Sequence, residues 1–156
     1  MSHRELCLIA AKYLKNRGIQ PFCKCQYVVC ELERIGECPD AFGFSWGSTQ
    51  LIEVKISRQD FLSDKKKYWR THPEFGLGMY RSYLCPEGII KPSDLPQNWG
   101  LLYVNYKNKI SVIIEAQKQE SSFSEEQRLM YSILRREGIK PQIFSYKKYK
   151  TELLNQ

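Results

Sequence analysis

The stretch Gln50-Leu-Ile-Glu-Val-Lys-Ile56 decides how this chain reads. Its β-branched residues mark a strand, yet it carries an acid and a base, Glu53 and Lys55, two positions apart. Alternation along a strand puts these two side chains on one side and Val54 on the other, into the core. Gly47-Ser48 supplies a turn ahead of it, and Asp40-Ala-Phe-Gly-Phe-Ser45 reads as the preceding strand. Gln26-Tyr-Val-Val-Cys-Glu-Leu-Glu33 reads as the one before that, with Gly36 and Pro39 punctuating the turn between them. Three short strands separated by tight turns predict an antiparallel meander.

Outward from the meander, Leu6, Ile9, Ala10, Tyr13 and Leu14 fall on one helical face and predict a helix over 2–16. Ser2 is its cap, and Gly18 stands where a left-handed C-terminal cap is expected. A second helix is predicted from the N-cap Ser57, with Asp60 in its first turn, through Lys65, Lys66 and Lys67 to about Arg70. A fourth strand over 79–85 stops at Pro86, a loop covers 87–98, and strands over 100–105 and 109–114 form a hairpin. Ser124 starts a last helix that ends near Gly138, and the tail carrying Tyr146, Lys147, Lys148, Tyr149 and Lys150 is basic and aromatic. The order is helix, three strands, helix, strand, hairpin, helix, with no internal repeat or linker. The expectation is one α/β domain over 1–156, a mixed central sheet flanked by helices, with a basic tail at about 140–156.

Composition supports a packed domain: 156 residues, 42% hydrophobic, with ten Tyr, seven Phe and three Trp. Basic residues outnumber acidic ones by 24 to 17, a formal net charge of +7. That balance suits a polyanionic partner, either nucleic acid or an acidic membrane surface. No run of apolar residues is long enough for a membrane span, and the N-terminus lacks the form of a signal peptide. A cytoplasmic protein with reduced thiols is the expectation. Cys23, Cys25, Cys30 and Cys38 crowd a short stretch, which raises a zinc-stabilised interaction domain as an alternative. Their spacing is not that of zinc knuckles, and Cys30 ends an apolar run, so packed thiols are expected instead.

The chemistry concentrates on Asp40, Glu53 and Lys55. If the Gly47-Ser48 turn pairs the strands, Asp40 and Glu53 approach each other at one end of the sheet. Read alone, Glu53 and Lys55 are a solvent-facing pair on an exposed edge. With Asp40 beside them, two carboxylates share a half-buried face, and unpaired burial of like charges costs several kcal/mol. A hard divalent cation resolves that conflict, with Asp40, Glu53 and the Val54 backbone carbonyl as ligands and water completing an octahedral Mg2+ shell (Mn2+ can substitute). Such an ion activates a bound water and stabilises charge on a scissile phosphate, and Lys55 can position that water, help to deprotonate it or stabilise the developing charge.

Pro39-Asp40 followed by Glu53-Val54-Lys55 resembles the PD-(D/E)-x-K nuclease superfamily, whose motif residues these match. The likeness extends through the Glu-x-Lys strand, the Ser57-Arg-Gln-Asp60-Phe61 helix start, the strand ending in Pro86 and the Gly100-Leu-Leu strand. Over about 26–115 the chain is similar to the MmcB-type DNA repair proteins of that superfamily. The resemblance implies a restriction-endonuclease-like fold and a Mg2+-dependent nuclease, or a nuclease-like repair protein, acting on DNA. It also implies a possible homodimer, and a catalytically inactive nucleic-acid-binding module on the same fold is the alternative. Superfamily members often add an acidic residue, for which Glu5, Glu31 and Glu33 are candidates, Glu33 being nearest the turn into Asp40. Arg58, Lys65, Lys66, Lys67, Tyr68 and Arg70 follow the site directly and are candidate phosphate contacts. Trp69, His72 and the lysines of the tail are secondary ones.

Overall fold

The computed structural model describes residues 1–19, 24–32 and 36–140. Its centre is a six-stranded mixed sheet, made of β1 (Tyr27–Cys30), β2 (Ala41–Ser45), β3 (Ser48–Val54), β4 (Tyr80–Pro86), β5 (Gly100–Val104) and β6 (Ile110–Ile114), in that spatial order. The first three strands are the expected antiparallel meander, with Ala41 opposite Ile52 and Phe42 opposite Leu51. β3, β4 and β5 then run parallel, and β6 closes the sheet as the antiparallel arm of the expected hairpin. Parallel neighbours need a crossover, and the helices between Val54 and Tyr80 supply the first one.

The long first helix, α1 (His3–Asn16), forms for local reasons. Ser2 caps it, and Glu5 reaches back to the Ser2 N–H at 2.6 Å to complete a capping box, a motif worth about 1 kcal/mol. Gly18, at φ +74°, ends it as expected. Leu6, Cys7, Ala10 and Leu14 are fully buried against Ala41, Ile52, Val54, Tyr80, Leu84, Leu102 and Val104. By strand alternation, Phe42, Leu51, Glu53, Arg81 and Tyr83 belong to the other face. There Phe61 covers Tyr83 edge-on, with ring centroids 5.1 Å apart. That second face carries the chemistry.

Two expected boundaries move. The first strand ends at Cys30 instead of continuing through Glu33, because Glu31 turns the chain at φ +50°, a conformation incompatible with a strand. Glu33 lies outside the described residues. The helix expected over 57–70 is two pieces, α2 (Arg58–Asp64) and α3 (Tyr68–Thr71). Lys67 is extended (φ −64°, ψ 139°), and the amides of Lys66 and Lys67 bond three residues back, to Ser63 and Asp64. The break turns Arg70 inward, where three carboxylates receive it.

The sheet lies in a compact unit, Met1–Glu126, and Gln127–Gln156 forms a second unit. The last helix, α4 (Phe123–Arg136), spans the boundary, with Glu125 and Glu126 in its first turn and Arg135 and Arg136 in its last, matching the helix dipole at both ends. The basic tail expected from Tyr146 to Lys150 lies outside the described residues. No described helix is long and apolar enough to cross a membrane. Cys7, Cys25 and Cys85 are buried, as expected of packed cysteines, whereas Cys38 is exposed and Cys23 lies outside the described residues.

Gly100 tests the packing of the sheet. A Cβ built there would lie 2.5 Å from Ser82 Oγ and 2.8 Å from the Ala116 backbone nitrogen. Backbone cannot move aside as a flexible side chain can, so Gly100→Ala is expected to cost about 1–3 kcal/mol of unfolding free energy. A urea titration with unchanged midpoint would show that the strand has room there.

Candidate functional site

The antiparallel register that pairs Ala41 with Ile52 places Asp40 beside Glu53 at the end of the sheet. Asp40 Oδ2 accepts the Val54 N–H at 2.9 Å, which pins the loop residue to the strand end. Lys55 lies one residue past β3 and points to the same side as Glu53, as alternation requires: its Nζ donates to Glu53 Oε2 at 3.1 Å. The same ammonium stands 3.8 Å from Asp40 Oδ2 and 3.6 Å from Asp64 Oδ1. Glu53 and Lys55 are buried, and the Asp40 side chain is 16% exposed. The structure therefore brings together the three residues singled out from the sequence.

It adds others to them. Arg70 is buried and binds Asp64 through Nε at 2.7 Å and Nη2 at 3.1 Å, Glu37 through Nη1, and stands 3.3 Å from Glu53 Oε2. Glu37 also accepts the Leu77 N–H at 2.7 Å. Tyr83 donates its hydroxyl to Asp64 Oδ2 at 2.8 Å, and its ring stacks on Trp99, over which the Arg70 guanidinium sits at 4.9 Å. His3, from the first turn of α1, brings Nε2 to 3.3 Å from Asp40 Oδ1. Sequence reasoning missed Glu37, Asp64, Tyr83 and His3 as site members. Only Asp64 left a trace, as an acid one helical turn beyond Asp60.

The expected phosphate contacts divide. Arg70 is inside the site rather than on a solvated face. Arg58 forms a two-pronged ion pair with Asp94, and Lys65 donates to the Asp94 carbonyl at 3.0 Å. Lys67 meets Asp64 Oδ1 at 2.8 Å from a largely open position, and Lys66 and Tyr68 are exposed. Tyr68 stacks on His72 with centroids 4.1 Å apart. Among the candidate extra acids, Glu5 is committed to the α1 cap, and Glu31, whose N–H donates to the Asp40 carbonyl at 3.2 Å, groups its side chain with His3 and Cys7.

Charge bookkeeping shows what the site lacks. Among the described residues, four carboxylates (Glu37, Asp40, Glu53, Asp64) crowd around the permanent cations Lys55, Arg70 and Lys67, with the His3 imidazole beside Asp40. Glu53 Oε1 is buried with no hydrogen-bond partner among the described residues. An orphaned carboxylate oxygen in a low-dielectric site costs several kcal/mol unless a cation or proton meets it. A hard divalent ion on Asp40 and Glu53 fits both observations.

The protonation states follow from the same geometry. Burial would raise Asp64, but the Arg70 hydrogen bonds and charge, with Lys55 and Lys67, hold it well below the usual carboxylate range. Burial works against the Lys55 ammonium, yet Glu53, Asp64 and Asp40 together keep its pKa above the ordinary lysine value. Asp40 goes the other way. Burial first, then the charge of Glu53, push it up to about 6, against the pull of Lys55, the Val54 N–H and His3.

An acid whose folded pKa exceeds its unfolded value binds its proton more tightly when folded. Its contribution to stability is full below the ordinary value of 3.8 and is lost as the pH rises through about 6. With a chelator present, the wild type is expected to lose roughly 1–2 kcal/mol more than Asp40→Asn between pH 4.5 and 7, after discounting for partial solvent screening. Glu37, also raised by burial, shifts both proteins alike, so the difference isolates Asp40. Urea titrations at the two pH values check this, and equal losses would remove Asp40 as the source.

No family model and no curated protein matches the chain. Among solved structures it is similar to the SPO1766 protein of unknown function from Silicibacter pomeroyi, at 23% identity and a TM-score of 0.47, over 76% of this chain and 84% of that one.

Proposed function

We propose that the chain is a divalent-metal-dependent phosphodiesterase acting on DNA, a nuclease or nuclease-like repair protein whose site is Asp40, Glu53 and Lys55. The observation that carries the reading is the buried Glu53 Oε1, which has no hydrogen-bond partner among the described residues, on the face that also carries Asp40. Mg2+ would be held by Asp40, Glu53 and the Val54 carbonyl, and it would supply a bound water of lowered pKa and neutralise phosphate charge. Glu53 and Asp40 hold that charge in place. Lys55, kept protonated by its three carboxylate neighbours, serves as a donor and a positive charge toward the phosphate, and not as the base that takes the water's proton. Asp64, itself held by Arg70 and Tyr83, helps to fix the position of Lys55, and all three are buried. Lys66, Lys67 and Tyr68 form the exposed edge next to the site where a phosphate backbone can rest.

A second reading has its own observation. The Lys55 ammonium already bridges Asp40, Glu53 and Asp64, as a nucleic-acid-binding module without turnover could also arrange. Nicking and degradation assays on duplex, single-stranded and branched DNA with Mg2+ or Mn2+ separate the two. Cleavage by the wild type that stops with a chelator supports the enzyme. If wild type and Lys55→Ala are equally inert, the enzyme reading fails.

A further inference from the structure

His3, Cys7 and Glu31 bring their ligand atoms within 4.8 Å of one another, in a grouping that borders the carboxylate site through His3 and Asp40 but does not rest on the hydrolytic reading. His3 and Cys7 are four residues apart on α1 and so share one face of the helix. Glu31 arrives from the end of β1, where the left-handed turn at φ +50° carries it back toward the helix. The three meet only because α1 packs across β1.

We propose that these residues form a binding site for a borderline transition-metal ion, Zn2+ by chemical class. A thiol sulfur, an imidazole nitrogen and one carboxylate suit zinc, and not Mg2+, which selects oxygen ligands. The geometry fits as well. Zinc binds sulfur at about 2.3 Å and imidazole at about 2.0 Å, so two such ligands on a tetrahedron stand about 3.5 Å apart. Cys7 Sγ and His3 Nδ1 are 3.4 Å apart.

The orientation of the imidazole is set from behind. The Asp40 carboxylate stands 3.3 Å from His3 Nε2, which favours the tautomer with its proton on Nε2 and leaves the Nδ1 lone pair facing Cys7. A carboxylate behind a ligating histidine is the usual support of a zinc-bound imidazole. Binding replaces the Cys7 S–H bond with a metal–sulfur bond and releases that proton. Thiolate and Glu31 carboxylate then balance the two charges of the ion. Three protein ligands leave the fourth position to water, reached from the side on which Glu31 is exposed. This site draws on none of the clustered cysteines, Cys23, Cys25, Cys30 and Cys38, that first suggest zinc in the sequence.

The test uses the full chain, stripped of metal by a chelator and titrated with Co2+ as a spectroscopic stand-in for Zn2+. The expected result is a thiolate-to-cobalt charge-transfer band whose amplitude corresponds to one thiolate-bound Co2+ per chain and which Zn2+ bleaches, Co2+ on Asp40 and Glu53 adding nothing to that band. Cys7→Ser should abolish the band. Because Cys7 is buried and its variant could misfold, His3→Ala and Glu31→Gln, at more open positions, are measured beside it. Each should weaken Co2+ binding at least tenfold while retaining the wild-type circular dichroism. Absence of a thiolate band in the wild type overturns the proposal. So does a band of unchanged affinity in both His3→Ala and Glu31→Gln, since the thiolate would then belong to another cysteine.

Discussion

Lys55→Ala is expected to lower Mg2+-dependent DNA cleavage by a factor of about 10²–10³, the usual loss when one preorganised electrostatic donor is removed from a water-poor site. The effect should lie in the rate and not in metal binding. Removing the ammonium takes away the cation that Asp40, Glu53 and Asp64 share and makes the pocket more negative, so the apparent Mg2+ affinity should hold or rise. That split separates loss of chemistry from loss of fold, since a misfolded variant would lose both. Single-turnover cleavage across a Mg2+ titration reads both quantities. A rate within about threefold of wild type would show that Lys55 is a structural counter-ion only.

Arg70→Ala is expected to cost about 3–5 kcal/mol of unfolding free energy, a large share of a small domain's total. The cost comes less from the bonds lost than from the partners left behind. Glu37, Glu53 and Asp64 are all nearly excluded from solvent, so their charges are left buried and poorly compensated. Arg70→Lys should recover less than half of the loss, because a single ammonium cannot bind Asp64 in two prongs and reach Glu37 as well. Arg58→Ala is the control. Arg58 also makes a two-pronged pair, with Asp94, but at an exposed position, where solvent screening leaves an ion pair little net effect on stability. Urea titrations of the three variants compare them, and an Arg70→Ala loss as small as that of Arg58→Ala would show that water reaches the site.

These two variants mark how far the sequence could be read. Asp40, Glu53 and Lys55 were legible because their relation is local. Strand alternation puts Glu53 with Lys55, and a short turn puts Asp40 beside Glu53, whatever the rest of the chain does. The caps at Ser2 and Ser57, the glycine end of α1 and the alternation of the meander are likewise settled within a few residues. The parallel pairing of β3, β4 and β5 and the break between α2 and α3 were not, since each depends on partners far along the chain.

Arg70 shows the reason most clearly. In sequence it closes a run with Lys65, Lys66 and Lys67, and nothing local distinguishes a solvated cation from a buried one. Burial of a charge is decided by where its counter-charges stand, and those of Arg70 come from a loop before β2, from β3 and from α2. His3 is the same case: an N-terminal residue of a helix becomes the neighbour of Asp40 and of Glu31 only when α1 lies across the sheet. By itself the sequence determined the strand pattern and the grouping of Asp40, Glu53 and Lys55, because alternation and tight turns act over a few residues. Which charges are buried, and which carboxylate oxygen is left without a partner, was decided by the tertiary structure, because electrostatic pairing in a low-dielectric interior depends on distance in space and not along the chain.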